Sequence, residues 1–403
     1  MSKQIVLHER DNVFIALETT TEHMRGHKYA RKNIFAGEEI IKYGMAIGRA
    51  VEDIPMGAHV HTHNTKTNLG DVIEYRYEPK FEEVSTPYEE RTVRVYERYN
   101  QEVGIRNECW IIPTVGCVNG VAMKIIQRTK DTLTKAGYEL ENLSFFDGMY
   151  TFSHAYGCSQ MGQDAEHTTK TLQNIVKHPN AGGVLVLGLG CENNQISNFK
   201  ATLGEYDQKR VRFLTSQDVE DEIEEGIKIL IELFHQMEQD QRVEKPISVL
   251  RVGLECGGSD GLSGITANPL IGKFSDYLSA YGGTSVLTEV PEMFGAETIL
   301  MSRCANEDIF NKTVNMVNGF KNYYKKHDQV IYENPSPGNK NGGITTLEDK
   351  SCGCTQKAGQ SQVQDVLEMT DRIKHNGLNL ISAPGNDAVA TTVLGMCGCQ
   401  MVL

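Results

Sequence analysis

Apolar positions along this chain fall into two regimes. Up to about residue 72 they come in short bursts, QIVLHE, NVFIALE, EEIIKYG and AIGRAV, split by turn-rich pieces such as FAGEE and DIPMG. Such bursts predict short strands without long helices, hence a small β domain over residues 1–72. Residues 73–102 are charged and lack a period, which predicts a linker with one strand at RTVRVYER. Beyond residue 103 the apolar runs CWIIPTV, GGVLVLGL, PISVLRVGL, GTSVLTEV and LNLISA each lead into a Gly-rich polar loop. Between them lie helical patterns, among them VAMKIIQRTKDTL and DVEDEIEEGIKILIELFHQMEQDQR, the latter acidic at the end where the helix dipole favours it. Short apolar runs alternating with helices predict parallel strands buried on both faces, in a middle α/β domain (103–245) and a C-terminal Rossmann-like α/β domain (246–403). In such sheets ligands sit beyond the carboxyl ends of the strands.

Charge and composition narrow the function. The net charge of -13 argues against a general nucleic-acid surface, which needs a positive face. No apolar run approaches the ~18 residues of a membrane span, and MSKQIVLHERDN lacks the apolar core of a signal peptide. The chain therefore reads as cytoplasmic, with neither membrane nor nucleic acid as partner. Ten cysteines in a reducing compartment need a reason other than disulfides. Eight of them lie in VGC, YGC, LGC, LECGG and two CGC contexts, and no CxxC pair occurs, which disfavours a zinc ribbon. One reading makes them small buried residues at tight turns. The other makes several of them converge on one pocket at the strand ends, where they would act as soft ligands.

The stretch GAHVHTHNTKTNL puts His59, His61 and His63 on alternate positions. On a strand all three would share a face. That face could be structural, an independent metal site, or part of a larger site.

Seven stretches carry a family resemblance: HTHNTKTNL, GIRNECWIIPTVGCVNG, SHAYGCSQ, NAGGVLVLGLGCENNQ, GLECGGSDGLSGITANP, LTEVPEMFGAE and YENPSPGNKNGGITTLEDKSCGCTQKAG. Together they resemble the altronate/galactarate dehydratase family, from about residue 8 to the last residue. The resemblance implies a small N-terminal β-clip (SAF) domain followed by α/β Rossmann-like dehydratase domains. It implies a metal-assisted hydro-lyase that dehydrates D-altronate to 2-dehydro-3-deoxy-D-gluconate in hexuronate catabolism. It also implies a divalent metal, Fe2+ first and Mn2+ as the alternative, with no nicotinamide or flavin. Family members continue past GCQMVL, so the C-terminal domain is expected to be cut short at Leu403. A homodimer is the expected assembly.

Removing water from a 2,3-dihydroxy acid takes a proton from the carbon next to a carboxylate. That needs a base, a cation or strong donors on the carboxylate oxygens, and help for the departing hydroxyl. His154, Cys158, Cys191, Glu192 and Cys256 lie at strand ends and form the expected metal set. A mixed imidazole and thiolate set suits iron better than magnesium. His154 could equally tie its loop to neighbouring backbone, and three of the thiols could carry an iron–sulfur cluster. For the carboxylate clamp, Gly338, Gly342 and Gly343 would let backbone N–H groups approach an anion, with Asn339 and Lys340 beside them. Ser259, Asp260, Ser263 and Asn119 are candidates for the sugar hydroxyls. The base is Lys350, Lys357 or His154; sequence does not choose. His61, His63, Asn64 and Thr65 are expected to reach the substrate or metal from the small domain, which would act as a lid. His63 is counted with the catalytic candidates.

Rival readings are galactarate or sulfolactate as substrate within the same family, or a cut-short, non-catalytic sugar-acid-binding protein. The HTHN stretch looks more like the altronate members. A nicotinamide dehydrogenase is disfavoured, because no GxGxxG fingerprint follows a strand.

Overall fold

A computed structural model describes residues 4–70, 72–82, 84–85 and 89–403. The N-terminal part holds β1 (Gln4–Ile5), β2 (Val13–Ala16), β3 (Lys28–Ala30), β4 (Glu39–Lys42), β5 (Met45–Ala50), β6 (His59–Val60) and β7 (Thr65–Lys66). They pair antiparallel into two sheets, ordered β1-β2-β3-β6 and β4-β5-β7. Ile34, Ile40, Ile47 and Val60 fill the core between them, and Ala296 and Cys352 from the far end of the chain complete it. The alternating histidines are not one strand face. β6 stops at Val60 because Asn64 closes a turn: its Oδ1 accepts from His61 N at 2.9 Å and its Nδ2 donates to His59 O at 2.9 Å.

The linker reading over 73–102 falls partly outside the described residues. Its described part includes an extended stretch tied to the C-terminal body. The Tyr75 hydroxyl donates to Glu297, Tyr77 Oη donates to Cys304 O at 2.8 Å, and Lys80 N donates to Ser302 O at 2.7 Å. Interleaved tyrosines explain this order, since each buries a ring and satisfies its hydroxyl. β8 (Thr92–Glu97) then pairs antiparallel with β9 (Val103–Gly104) and with β14 (Val243–Pro246).

The middle sheet is wholly parallel, β11-β10-β12-β13, from β10 (Glu108–Pro113), β11 (Met149–Thr151), β12 (Ala181–Gly188) and β13 (Val211–Thr215). Around it lie α1 (Asn119–Lys135), α2 (Gly162–Val176), α3 (Ile196–Thr202) and α4 (Glu222–Met237). β12 reads AGGVLVLG because both faces are covered. Leu185 and Leu187 join one core with α1 and α4, and Val184 and Val186 join the other. α4 starts at Asp221, whose carboxylate accepts from the N–H groups of Ile223 and Glu224.

The C-terminal part runs β15 (Arg251–Leu254), α5 (Ala267–Ala280), β16 (Thr284–Leu287), α6 (Glu297–Met301), α7 (Glu307–Lys326), α8 (Pro337–Asn341), α9 (Leu347–Cys354), β17 (Val363–Leu367), β18 (Gly377–Ile381), α10 (Asp387–Met396) and β19 (Met401–Val402). Its strands are parallel in the order β17-β18-β16-β15-β19. Two Cys-Gly-Cys pieces are not strand-end loops. Cys352 and Cys354 lie inside α9, which is buried along its whole length, and Cys397 and Cys399 lead into the start of β19. The reason for α9 is local: Thr346 caps the helix by accepting from Asp349 N. No helix among the described residues is long and apolar enough to cross a membrane.

One buried charge group joins the two ends of the molecule. Lys28 Nζ (β3) lies 2.6 Å and Lys42 Nζ (β4) 2.9 Å from the carboxylate oxygens of Asp349, with all three side chains almost wholly buried. Lys28 also donates to Gly343 O at 2.6 Å, and Thr345 N donates to Asp349 at 3.0 Å. Burial alone would raise the Asp349 carboxyl, but the two ammonium groups hold it well below the usual carboxylate range. Replacing Asp349→Asn leaves two buried cations without their counter-charge. The expected loss is about 3–5 kcal/mol, read by chemical unfolding. An unchanged midpoint would show that the group does not hold the two parts together.

Candidate active site

Four segments meet beyond the carboxyl ends of β15 and β16. Cys256 follows β15. After β16 come Glu289, which leads into a 3-10 turn (Val290–Met293), and Glu292 within that turn. α9 supplies Lys350 and Cys354, and the next turn supplies Lys357. Cys256 Sγ lies 3.6 Å from Glu289 Oε1 and 3.3 Å from Glu292 Oε2, and Cys354 Sγ lies 3.0 Å from Glu292 Oε2. Lys350 Nζ is 2.6 Å from Glu292 and Lys357 Nζ is 3.4 Å from Glu289. Glu289 is held in the left-handed backbone region at φ 65°, a strained position for a residue with a Cβ.

These groups set each other's protonation. Burial and the neighbouring Glu292 charge raise the Glu289 carboxyl. Burial opposes ionisation of Glu292 too, but the Lys350 ammonium outweighs it and lowers that carboxyl. Both lysines are raised: burial pulls them down, and the facing carboxylates and thiols more than offset it. Lys350 has an acceptor for each of its three protons, adding Asn334 Oδ1 at 3.1 Å and Asn339 Oδ1 at 3.2 Å to Glu292. It is fixed as a cation. Lys357 has one carboxylate, at the longer distance.

The donor set fits a metal. Cys256, Glu289 and Glu292 each offer a ligand atom within 4.8 Å of the others, and Glu255, Glu289 and Asp387 form a second such group. Glu255 is buried with one oxygen, Oε1, lacking a hydrogen-bond partner. A thiolate beside carboxylates suits iron(II) or zinc better than magnesium.

Among the expected residues, the structure brings Lys350, Lys357, Cys256, Ser259 and Asn339 together. Ser259 Oγ lies 4.0 Å from Cys354 Sγ, and Asn339 Nδ2 donates to Ser259 O at 2.8 Å. Asp260 and Ser263 close their own turn, the carboxylate accepting from Leu262 N and Ser263 N. Gly342 and Gly343 serve close backbone packing: Gly261 N donates to Gly342 O at 2.7 Å, and a Cβ on Gly343 would lie 2.5 Å from Gly26 O. Gly338 sits in α8, and the Lys340 carbonyl accepts from or faces His61 Nε2 at 2.8 Å.

The expected metal set divides between two sheets. Cys256 is at the site above, whereas His154, Cys158, Cys191 and Glu192 lie at the end of the middle sheet. His154 has both ring nitrogens on backbone, Nε2 at 2.8 Å from Pro113 O and Nδ1 accepting from Tyr156 N at 3.1 Å, so it is the loop-tying histidine. Glu192 points inward to Thr114 Oγ1 at 2.7 Å. Asn119 donates to His154 O at 2.8 Å. Sequence reasoning missed Glu289, Glu292 and Cys354; the available signal was the acidic pair three apart in TEVPEM, directly after a strand.

The small-domain histidines contact α8. His27 Nδ1 lies 3.0 Å from His59 Nε2, His27 Nε2 lies 3.1 Å from Asn341 O, and the His61 ring stacks on both His27 and His59. His63 is exposed and packs against His59 at 5.6 Å between ring centroids. Asn64 and Thr65 are buried in the turn and the strand after it.

A thiol, carboxylates and lysines packed at the ends of parallel strands make up a site suited to a lyase. Three family models match in order: the altronate/galactarate dehydratase SAF domain over 17–68, the D-galactarate dehydratase/altronate hydrolase second domain over 95–238, and the D-galactarate/altronate dehydratase C-terminal domain over 247–403. The chain belongs to the altronate/galactarate dehydratase family. It is 55% identical to the altronate dehydratase of Escherichia coli (strain K12) over 415 residues, covering 99% of this chain and 82% of that one. It is 52% identical to the altronate dehydratase of Bacillus subtilis (strain 168) over 419 residues, covering 100% and 83%. The galactarate dehydratase (L-threo-forming) of Escherichia coli (strain K12) is 33% identical over 428 residues, covering 99% and 79%.

The histidine group gives a pH prediction. Burial first, then the neighbouring histidines, lower His59 to about 4. The unfolded chain therefore takes up a proton near pH 6.5 that the folded chain refuses. Stability from this group is complete above pH 6.5 and is lost as pH falls toward 4. Chemical unfolding midpoints should drop over that window, and His59→Gln should flatten the drop.

Proposed function

We propose that this chain is a cytoplasmic altronate dehydratase that converts D-altronate to 2-dehydro-3-deoxy-D-gluconate. The carrying observation is the Cys256–Glu289–Glu292 group, its two carboxylates buried, with Lys350 and Lys357 against it. The relatives at 55% and 52% identity favour altronate over galactarate. The ten free cysteines suit a reducing compartment.

Cys256, Glu289 and Glu292 would hold Fe2+, or Mn2+ in its place, which when bound supplies Lewis-acid stabilisation of oxygen charge. Lys350, locked as a cation by three acceptors, attracts the substrate carboxylate through its charge and opposes the charge that builds on it as the C2 proton leaves. Against its burial, Lys357 is raised by the Glu289 carboxylate it faces; a cation held on Glu289 would remove that pairing, and as the neutral amine Lys357 would take the C2 proton at its Nζ. Asn334 and Asn339 orient Lys350, and Ser259 offers a hydroxyl toward the same space. His27 and His61 hold α8, and with it Asn339, with His59 packed behind them, so the small domain covers the site and excludes water. No nicotinamide or flavin has a part in this scheme.

The test is anaerobic turnover with iron(II), a reductant and D-altronate, with galactarate and sulfolactate in parallel. Altronate should be consumed with formation of the 2-keto-3-deoxy acid; turnover of another acid alone would replace the substrate assignment. Lys357→Met should lower kcat by about 10²–10⁴ with little change in KM. Lys350→Met should raise KM as well, because it removes a binding charge.

A further inference from the structure

The chain's exposed cysteines are Cys117, Cys158 and Cys191; the other seven are buried or partly so. All three follow a glycine, as Gly116–Cys117, Gly157–Cys158 and Gly190–Cys191. All three stand just past the carboxyl ends of neighbouring strands, β10, β11 and β12. None belongs to the Cys256 group.

The loops that carry them are stitched together next to the thiols. Gly116 N donates to Tyr156 O at 2.9 Å, and Asn194 N donates to Gly157 O at 3.2 Å. Ser159 N donates to Asn193 Oδ1 at 2.8 Å, and Asn194 Nδ2 donates to Thr114 O at 3.2 Å. A Cβ on Gly157 would lie 2.1 Å from Thr114 O, so the first two loops touch through backbone. The Glu192 carboxylate is taken by Thr114 Oγ1 and by the N–H groups of Leu189 and Gly190. Glu192 is thereby turned inward and Cys191 outward. This is considerable local construction around three thiols that no core packing uses.

We propose that Cys117, Cys158 and Cys191 hold an iron–sulfur cluster, with one iron left without a protein ligand. Soft thiolates in a reducing compartment are the ligands such clusters take. The groups compact enough for a single ion, with ligand atoms within 4.8 Å, do not include these three residues. A cluster accepts thiolates spaced more widely than one ion does. With three thiolates, the remaining iron is open to a hydroxyl or carboxylate oxygen. The centre is distinct from the Cys256–Glu289–Glu292 group, and it does not depend on the substrate assignment.

The test uses the full chain, purified anaerobically and reconstituted with iron and sulfide. Iron and acid-labile sulfide should appear in similar amounts, with broad visible charge-transfer absorption and an electron paramagnetic resonance signal in one redox state. C117S, C158S and C191S should each cut labile sulfide by about 10-fold or more, while C256S keeps it. Unfolding midpoints of the iron-free variants should match that of the iron-free parent, since the three positions are exposed. Iron bound without labile sulfide would overturn the proposal. So would a cluster that survives all three substitutions, or one lost in C256S alone. Each readout is independent of turnover, so a chain inactive on altronate would still answer the question.

Discussion

Asp349 faces two lysines in a place that water does not reach, and most of the architecture around the site follows from that pairing. The lysines come from separate strands of the small domain, Lys28 in β3 and Lys42 in β4, and the acid comes from the first turn of α9. An unpaired buried charge is so costly that only one docking position of the small domain is tolerable. Because the next residue is Lys350, that position also sets where the active-site ammonium stands. Lys28 reaches Gly343 O as well, which places the segment just after α8. The charge group thus fixes register between parts of the chain that have no shared strand.

The site itself works by opposed pairs. Glu292 with Lys350 and Glu289 with Lys357 each place a carboxylate against an ammonium, and two thiols lie between them. Burial would neutralise any one of these groups alone; together they hold charge in a low-dielectric pocket, where its effect on a developing enolate is largest. The strained backbone of Glu289 is consistent with this arrangement. Its φ of 65° turns the carboxylate back toward Cys256, whose N–H donates to it at 3.0 Å.

Much of the fold was legible because buried parallel strands leave long apolar runs such as GGVLVLGL, and because α4 carries both its amphipathic period and its acidic start. The TTLED start of α9 was also present, but a helix buried on every side shows no amphipathic period, and the CGC spacing points to a turn. The site was legible only in part. Lys350, Lys357 and Cys256 stand in Gly-rich motifs that draw attention, whereas Glu289 and Glu292 are ordinary acids until a 3-10 turn aligns them. His154 illustrates the limit: its spacing from Cys158 suited a ligand, and only the backbone contacts of both nitrogens reveal its role. For HTHN, alternation suggested a shared face. The histidines do cluster, but through a turn closed by Asn64 and with His27, which lies far off in sequence.

The link between Lys28 and Asp349 spans 321 residues, and this bears on how the chain is made. The small domain leaves the ribosome first, with two lysines that lack their counter-charge and a core that lacks Ala296 and Cys352. At roughly 5–20 residues per second, the missing partners arrive on the order of tens of seconds later. During that interval the first part of the protein has strands but no complete interior. It must be kept from pairing with other nascent chains until α9 emerges to finish it.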